Sequence, residues 1–263
     1  MNLQPLCWHG TGLSDTGLVR QTNQDAFVVD NDLGLWIVAD GMGGHAGGGI
    51  ASRIAVDSII GTIRAAASAG RALFIQPSQA VNLVIEALSI AHEAIHQAAI
   101  QNQELEGMGT TIVACLLCPG PPFQAALAHV GDSRAYLLRD RRLQALTTDH
   151  SYVQKLVAQG NLTENEASRH PQRNVLLRAL GIPGQSIPDT RIQPLEPDDV
   201  ILLCTDGLTK MLREDEILSL LSEDTQASST DMSRQLVGRA NENGGKDNTT
   251  VVLIRPNRSI PAS

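Results

Sequence analysis

Residues 36–49 read WIVADGMGGHAGGG, an apolar run that stops at Asp40 and gives way to six glycines in nine positions. A carboxylate at the end of a strand-like run, followed by almost no side chains, has three readings. It can open a phosphate-cradling glycine loop, form part of a metal site, or simply end a strand in a turn. The rest of the chain decides between them.

Composition narrows the field first. A chain of 263 residues is long enough to bury a full core. With 42% hydrophobic and 18% charged residues it is an ordinary globular sequence, and at 3% aromatics the core must rest on Ala, Val, Ile and Leu. The net charge of -8 argues against a nucleic-acid backbone or an anionic membrane as the main partner. Of the four cysteines, Cys115 and Cys118 form a lone CxxC inside the strand-like TTIVACLLC, so core thiols are favoured over zinc. MNLQPLCWHG lacks the basic-then-apolar pattern of a signal peptide, and the long uncharged stretch Met108–Gly131 is broken by prolines. The expectation is a soluble, cytoplasmic monomer.

Working outward from Asp40, short apolar runs recur at Ala26–Asp30, Leu35–Ala39, Thr110–Leu117, Phe123–Val130, Ala135–Leu138, Val200–Cys204 and Thr249–Ile254. They are bounded by Gly, Pro or Asp and read as antiparallel strands. Helical spacing covers Ile50–Ala67 and Ser78–Ile100 as a pair, then Glu214–Leu221 and Ser229–Asn241 as a second pair. Strands in runs and helices in pairs predict an α+β fold. Residues 149–184 fall outside the sheet pattern, with one short helix at Tyr152–Ala158, and read as a flap. One domain over residues 1–263 is expected, with 255–263 as a frayed tail.

Two motifs mislead. GMGGHA (41–46) fits the dinucleotide fingerprint, but Asp40 would place a carboxylate beside the pyrophosphate, and no second strand returns about 20 residues later. HEAIH (92–96) matches the zinc-protease pattern, with His92 and His96 on one helix face and Glu93 beside them. No third His follows at the extended spacing, the next being His129 in a strand; Glu104 and Glu106 lie close downstream at the helix's end, and ordinary residues of a half-exposed helix are the better account.

The strand margins answer the opening question. Asp40 ends IVADG, Asp132 lies in AHVGDSR, Asp206 in ILLCTDGL, Asp247 in GKDNTTVVL and Asp25 in QDAFVVD. Any one alone is a turn residue. Five at the edges of sheets can converge in one cleft, where each carboxylate raises its neighbour's pKa and a hard, oxygen-seeking cation relieves the repulsion. Glycines after Asp40 would then leave room for a backbone carbonyl, water and substrate.

RQTNQDAF (20–27), VADGMGGHAGG (38–48), GDSRAY (131–136), LCTDGL (203–208) and KDNTTVV (246–252) together resemble the type 2C metal-dependent protein serine/threonine phosphatases, in their bacterial form. The resemblance implies a four-layer α/β/β/α sandwich, two antiparallel sheets flanked by helix pairs, with Mg²⁺ or Mn²⁺ at one end. By motif, Asp40 would bridge two core ions and the Gly41 carbonyl would hold the second. Asp206 and Asp247 would complete the first, Asp132 with Asp206 a weak third, and Asp25 would act through water. Asn248 would support the site and Arg20 would grip the phosphate of a phosphoprotein substrate. A hydroxide bridging the ions would attack in line. The family's eukaryotic members carry His directly after Asp-Gly; here Met42 stands there, and His45 or a water would supply the proton. A catalytically dead phosphoprotein-binding module of the same fold is the alternative, and the presence of Asp40, Asp206 and Asp247 weighs against it.

Overall fold

The computed structural model describes residues 7–44, 47–70, 76–118, 120, 122–184, 186–222 and 228–257. Eleven strands among these form two sheets. The first sheet runs, edge to edge, through β1 (Cys7–Asp15), β11 (Thr249–Asn257), β10 (Val200–Cys204), β7 (Arg134–Arg139) and β8 (Arg142–Ala145). The second runs through β2 (Asp25–Asp30), β3 (Leu35–Met42), β5 (Ile112–Cys118), β6 (Gln124–Val130) and β9 (Asp189–Pro194), with the two-residue β4 (Gly109–Thr110) pairing β3. Every pairing is antiparallel.

The central strands are apolar on both faces because both faces of each sheet are covered. In β3, Trp36 and Val38 point between the sheets, where they meet Leu137, Leu203, Val252 and Ile254. Their neighbours Leu35, Ile37 and Ala39 point the other way, onto α1 (Gly47–Ser68) and α2 (Pro77–Gln101). Tyr136, Leu202, Val251 and Leu253 leave the first sheet on its far side to meet α6 (Glu214–Ser222) and α7 (Ser229–Glu242). Three apolar interfaces between four layers result, the expected α/β/β/α sandwich. The CxxC divides accordingly: Cys115 lies between the sheets, while Cys118, three residues on, faces the helices. Both are buried free thiols.

Small residues let the helix pair sit close to the sheet. α1 buries Ala51, Ala55, Val56, Ile59 and Ile63, and α2 buries Ala80, Leu83, Val84, Ala87, Leu88 and Ala91. Pro77 opens α2 at a position whose N–H has no helical partner in any case. Two of the scarce aromatics, Trp36 and Tyr136, are fully buried, and Trp36 Nε1–H donates to Asn31 Oδ1 at 2.9 Å.

Sequence patterning missed β1, β8 and β9. The first is rich in Gly, Ser and Thr, and the last two are polar edge strands. The stretch expected as a tail from residue 255 is strand as far as Asn257, where His9 pairs Arg255 and Trp8 pairs Pro256. The expected helix at Tyr152–Ala158 forms, followed by a second short one, α4 (Glu164–Ala167), with a Thr163–Glu166 capping box. No helix among the described residues is long and apolar enough to cross a membrane.

Candidate active site

Asp25 and Asp40 face each other as a register pair at one end of the second sheet, where β2 starts and β3 approaches its close. The backbone of Asp40 is fixed on its other side. Its carbonyl accepts from Thr111 N–H at 2.9 Å and Thr110 Oγ1 at 2.8 Å, and its own N–H donates to Thr111 Oγ1. Thr111 Oγ1 in turn lies 2.7 Å from Ser133 Oγ, next to Asp132. Gly131, at φ +105°, makes the turn that presents Asp132, and a Cβ there would collide with Thr111. Gly41 is equally constrained: a Cβ would overlap the Gly48 carbonyl, so the glycine run lets α1 begin directly against the end of β3.

The first sheet supplies the remaining carboxylates. β10 ends at Cys204, Thr205 turns the chain, and Asp206 opens the single-turn helix α5 (Asp206–Thr209). Asp247 sits just before β11. Asp25 ties the two sheets together: its Oδ2 accepts from Thr205 Oγ1 at 2.9 Å and Thr250 Oγ1 at 2.7 Å. Asn248 is the second cross-link. Its Oδ1 accepts Gln24 N–H at 2.8 Å, and its Nδ2 donates to the carbonyls of Thr16 and Thr22, holding the loop that carries Arg20. Arg20 reaches Asp247 Oδ1 at 2.9 Å.

All five aspartates therefore converge, and the electrostatics record it. Burial first, then repulsion from Asp206, Asp25 and Asp132, pushes the Asp40 carboxyl well above the ordinary range, with Lys210 opposing. Burial raises Asp25 to about 7 against the two threonine hydroxyls, with Asp206 and Asp247 adding to it. Burial, Asp206 and Asp149 raise Asp132 to about 8. Asp206 is raised by burial, while Lys210 opposes. Asp25 Oδ1 and Asp206 Oδ1 are buried without a hydrogen-bond partner among the described residues. Carboxylate oxygens in that state fit the place of a bound cation. An all-oxygen donor set fits Mg²⁺ or Mn²⁺ better than zinc.

Lys210 is the residue that motif reading missed. It follows Asp206 by one helical turn and its ammonium forms ion pairs with both Asp206 and Asp247. The i,i+4 spacing in DGLTK was the available signal. Also unanticipated is Arg134 of GDSRAY, which makes a bidentate pair with Asp149 at 2.7 and 2.8 Å and so anchors the start of the flap segment.

Other expectations resolve differently. His45 lies outside the described residues. Met42 closes β3 opposite Gly109, with its Cε where a Gly109 side chain would stand, and so packs rather than titrates. In HEAIH, His92 Nδ1 accepts Gly181 N–H at 3.0 Å and Glu93 accepts from Gln97, so that face is engaged in helix and flap contacts. A different convergence, His129, His150 and Asp189, has ligand atoms within 4.8 Å of one another. It is already satisfied: Arg178 reaches Asp189 at 2.6 Å, and His150 Nδ1 accepts Gly131 N–H, which leaves His150 Nε2 to donate to Asp189.

A sandwich with acidic strand ends meeting across its two sheets defines a class, and known proteins agree. The family described as Protein phosphatase 2C matches residues 16–244. The Listeria welshimeri serine/threonine phosphatase stp is 34% identical over 252 residues, covering 95% of this chain and 96% of that protein. The Streptococcus pneumoniae protein phosphatase PhpP is 37% identical over 252 residues, covering 93% and 96%. Among solved structures, the catalytic domain of the serine/threonine protein phosphatase PstP in complex with two manganese ions superposes with a TM-score of 0.82 at 31% identity, covering 95% of this chain and 99% of that one. The chain belongs to the protein phosphatase 2C family and is an enzyme of the serine/threonine phosphatase class.

Proposed function

We propose that this chain hydrolyses phosphoserine and phosphothreonine monoesters on proteins at the cleft where Asp25, Asp40, Asp132, Asp206 and Asp247 meet. The carrying observation is the pair of buried, unpartnered oxygens on Asp25 and Asp206 within that carboxylate cluster. Asp40, Asp206 and Asp247 with the Gly41 carbonyl would hold two Mg²⁺ or Mn²⁺ ions, and Asp132 with Asp206 a weaker third. When bound, such ions lower the pKa of a water and offset the phosphate's charge. Asp25, fixed by two hydroxyls, orients solvent. Arg20, half exposed on a loop pinned by Asn248, directs a planar guanidinium toward a phosphate at the rim. Residues 149–184, anchored by Arg134–Asp149 and by the Thr110–Leu180 bridge, form the neighbouring surface that selects the phosphoprotein.

A net charge of -8 supports a protein substrate over nucleic acid or an anionic membrane, and we read the chain as one catalytic domain acting as a monomer. The deciding experiment is hydrolysis of p-nitrophenyl phosphate and of phosphoserine, phosphothreonine and phosphotyrosine peptides, before and after EDTA, with Mn²⁺ or Mg²⁺ restored. Activity lost to EDTA, recovered with either ion and confined to the first two peptides supports the assignment. Binding of phosphopeptide without turnover would favour the inactive module.

A further inference from the structure

Lys210 is the one lysine that enters the acidic cluster among the described ion pairs. Its ammonium bridges Asp206 and Asp247, 3.1 Å from Asp247 Oδ2, while its side chain is 31% exposed. It also opposes the charge on Asp40 and Asp132. A single tethered positive charge therefore acts on four of the five carboxylates. Position and sign are those of a cation bound between the two strand ends. α5 enforces the placement: Asp206 is its first residue and Lys210 its C-cap, one turn on, so the lysine stem lies along the carboxylate it neutralises.

We infer that Lys210 is a built-in counter-cation that holds the cluster together in the metal-free protein and competes with divalent ions for Asp206 and Asp247. This rests on the metal-site reading above and goes beyond it, because it concerns what sets the ions' affinity. An ion entering between these carboxylates must first displace the ammonium. The apparent affinity then falls by the fraction of molecules in which the lysine has swung out. With Lys210 seated in about nine molecules of ten, the loss is about tenfold. Displacement also frees the ammonium at the mouth of the cleft, so loading and release of the ions are coupled to movement of one side chain.

The test compares the full-length wild type with Lys210→Met and Lys210→Arg by calorimetric titration of MnCl2 and by melting in EDTA. Lys210→Met keeps the length of the stem and removes the charge. It should bind Mn²⁺ about tenfold more tightly, melt at a lower temperature than wild type in EDTA, and show a larger Mn²⁺-induced rise. Lys210→Arg, with its charge retained, should stay close to wild type in both. Unchanged or weaker Mn²⁺ binding by a folded Lys210→Met protein overturns the inference while leaving the metal site intact. A raised KM for phosphopeptide at unchanged Mn²⁺ affinity also overturns it, by making Lys210 a substrate contact. Failure of the wild type to bind Mn²⁺ at all would overturn the metal-site reading itself.

Discussion

His129 and Asp132 stand three residues apart at the end of one strand, yet they belong to clusters of opposite design. Around His129 the chain itself supplies partners: His129 Nε2 lies 2.9 Å from the Thr148 carbonyl, His150 pairs with Gly131 and Asp189, and Arg178 pairs with Asp189. Asp189, an exposed carboxylate, is held below the ordinary range by Arg178 and His150 against partial desolvation, and burial pushes the pKa of both histidines down. Around Asp132 the count is unbalanced: five carboxylates meet, and only Arg20 and Lys210 form ion pairs with them among the described residues. A cluster that satisfies itself is structure. One that gathers five carboxylates and leaves two of their buried oxygens unpartnered among the described residues is a candidate ligand site. The comparison separates the His129–His150–Asp189 cluster from the aspartate cluster proposed to hold metal, on hydrogen bonding rather than on residue type.

The strongest blow to that contrast falls on Asp40, which would bridge the two core ions. Asp40→Asn should lower kcat/KM by about a thousandfold or more, the effect of losing several kcal/mol of charge stabilisation. The fold should survive, since removing one of several repelling carboxylates relieves strain. Substantial Mn²⁺-dependent turnover by the folded variant would show that the cluster is not the catalytic centre.

Asp132→Ala comes next. Asp132 would serve only the weakest ion, so the variant should keep the two core ions and lose about 10–100-fold in kcat. Metal content, melting temperature and kcat measured together decide the matter. A lower melting temperature with near-normal kcat would mean that Asp132 merely closes the Gly131 turn.

The same contrast explains what the sequence could and could not disclose. Asp25, Asp40, Asp132, Asp206 and Asp247 stood out because each lies at the margin of an apolar run beside a small or turn-forming residue. The two helix pairs were legible by period. By contrast, β1, β8 and β9 carry Gly, Thr, Arg and Gln, and only pairing with neighbours assigns them to sheets. Thr205 and Thr250, whose hydroxyls seat Asp25 from 180 and 225 residues away, gave no local sign at all. Lys210 was hidden for another reason. Next to a recognised DGL motif it reads as a solvated helix residue, and its role depends on Asp247 arriving from a distant loop.

Arg20→Ala should have a smaller effect, raising KM about tenfold with little change in kcat, the worth of one charge-assisted hydrogen bond made equally in ground and transition states. Arg20 is half exposed and rests on Asp247, so its loss should leave melting nearly unaltered. A large fall in kcat at constant KM would move Arg20 from binding substrate to stabilising the transition state.

The smallest effect belongs to HEAIH, the stretch with the most recognisable spacing and no site behind it. The rings of His92 and His96 stack 6.4 Å apart on one face of α2, as the motif demands, but His92 Nδ1 already accepts the N–H of Gly181. That bond fastens α2 to the point where the 149–184 segment rejoins β4, since Leu180 exchanges backbone hydrogen bonds with Thr110. Replacing both histidines by alanine leaves the Gly181 N–H unpaired, at a cost of about 1 kcal/mol. The melting temperature should therefore fall by a few degrees, on the order of what 1 kcal/mol produces in a chain of this size. Mn²⁺ stoichiometry and kcat should stay at wild-type values, because His92 and His96 make no described hydrogen bond or ion pair with the five aspartates. Loss of stoichiometric zinc from the double variant would reverse the comparison, making a motif on one helix face, rather than five carboxylates gathered from two sheets, the metal site of this chain.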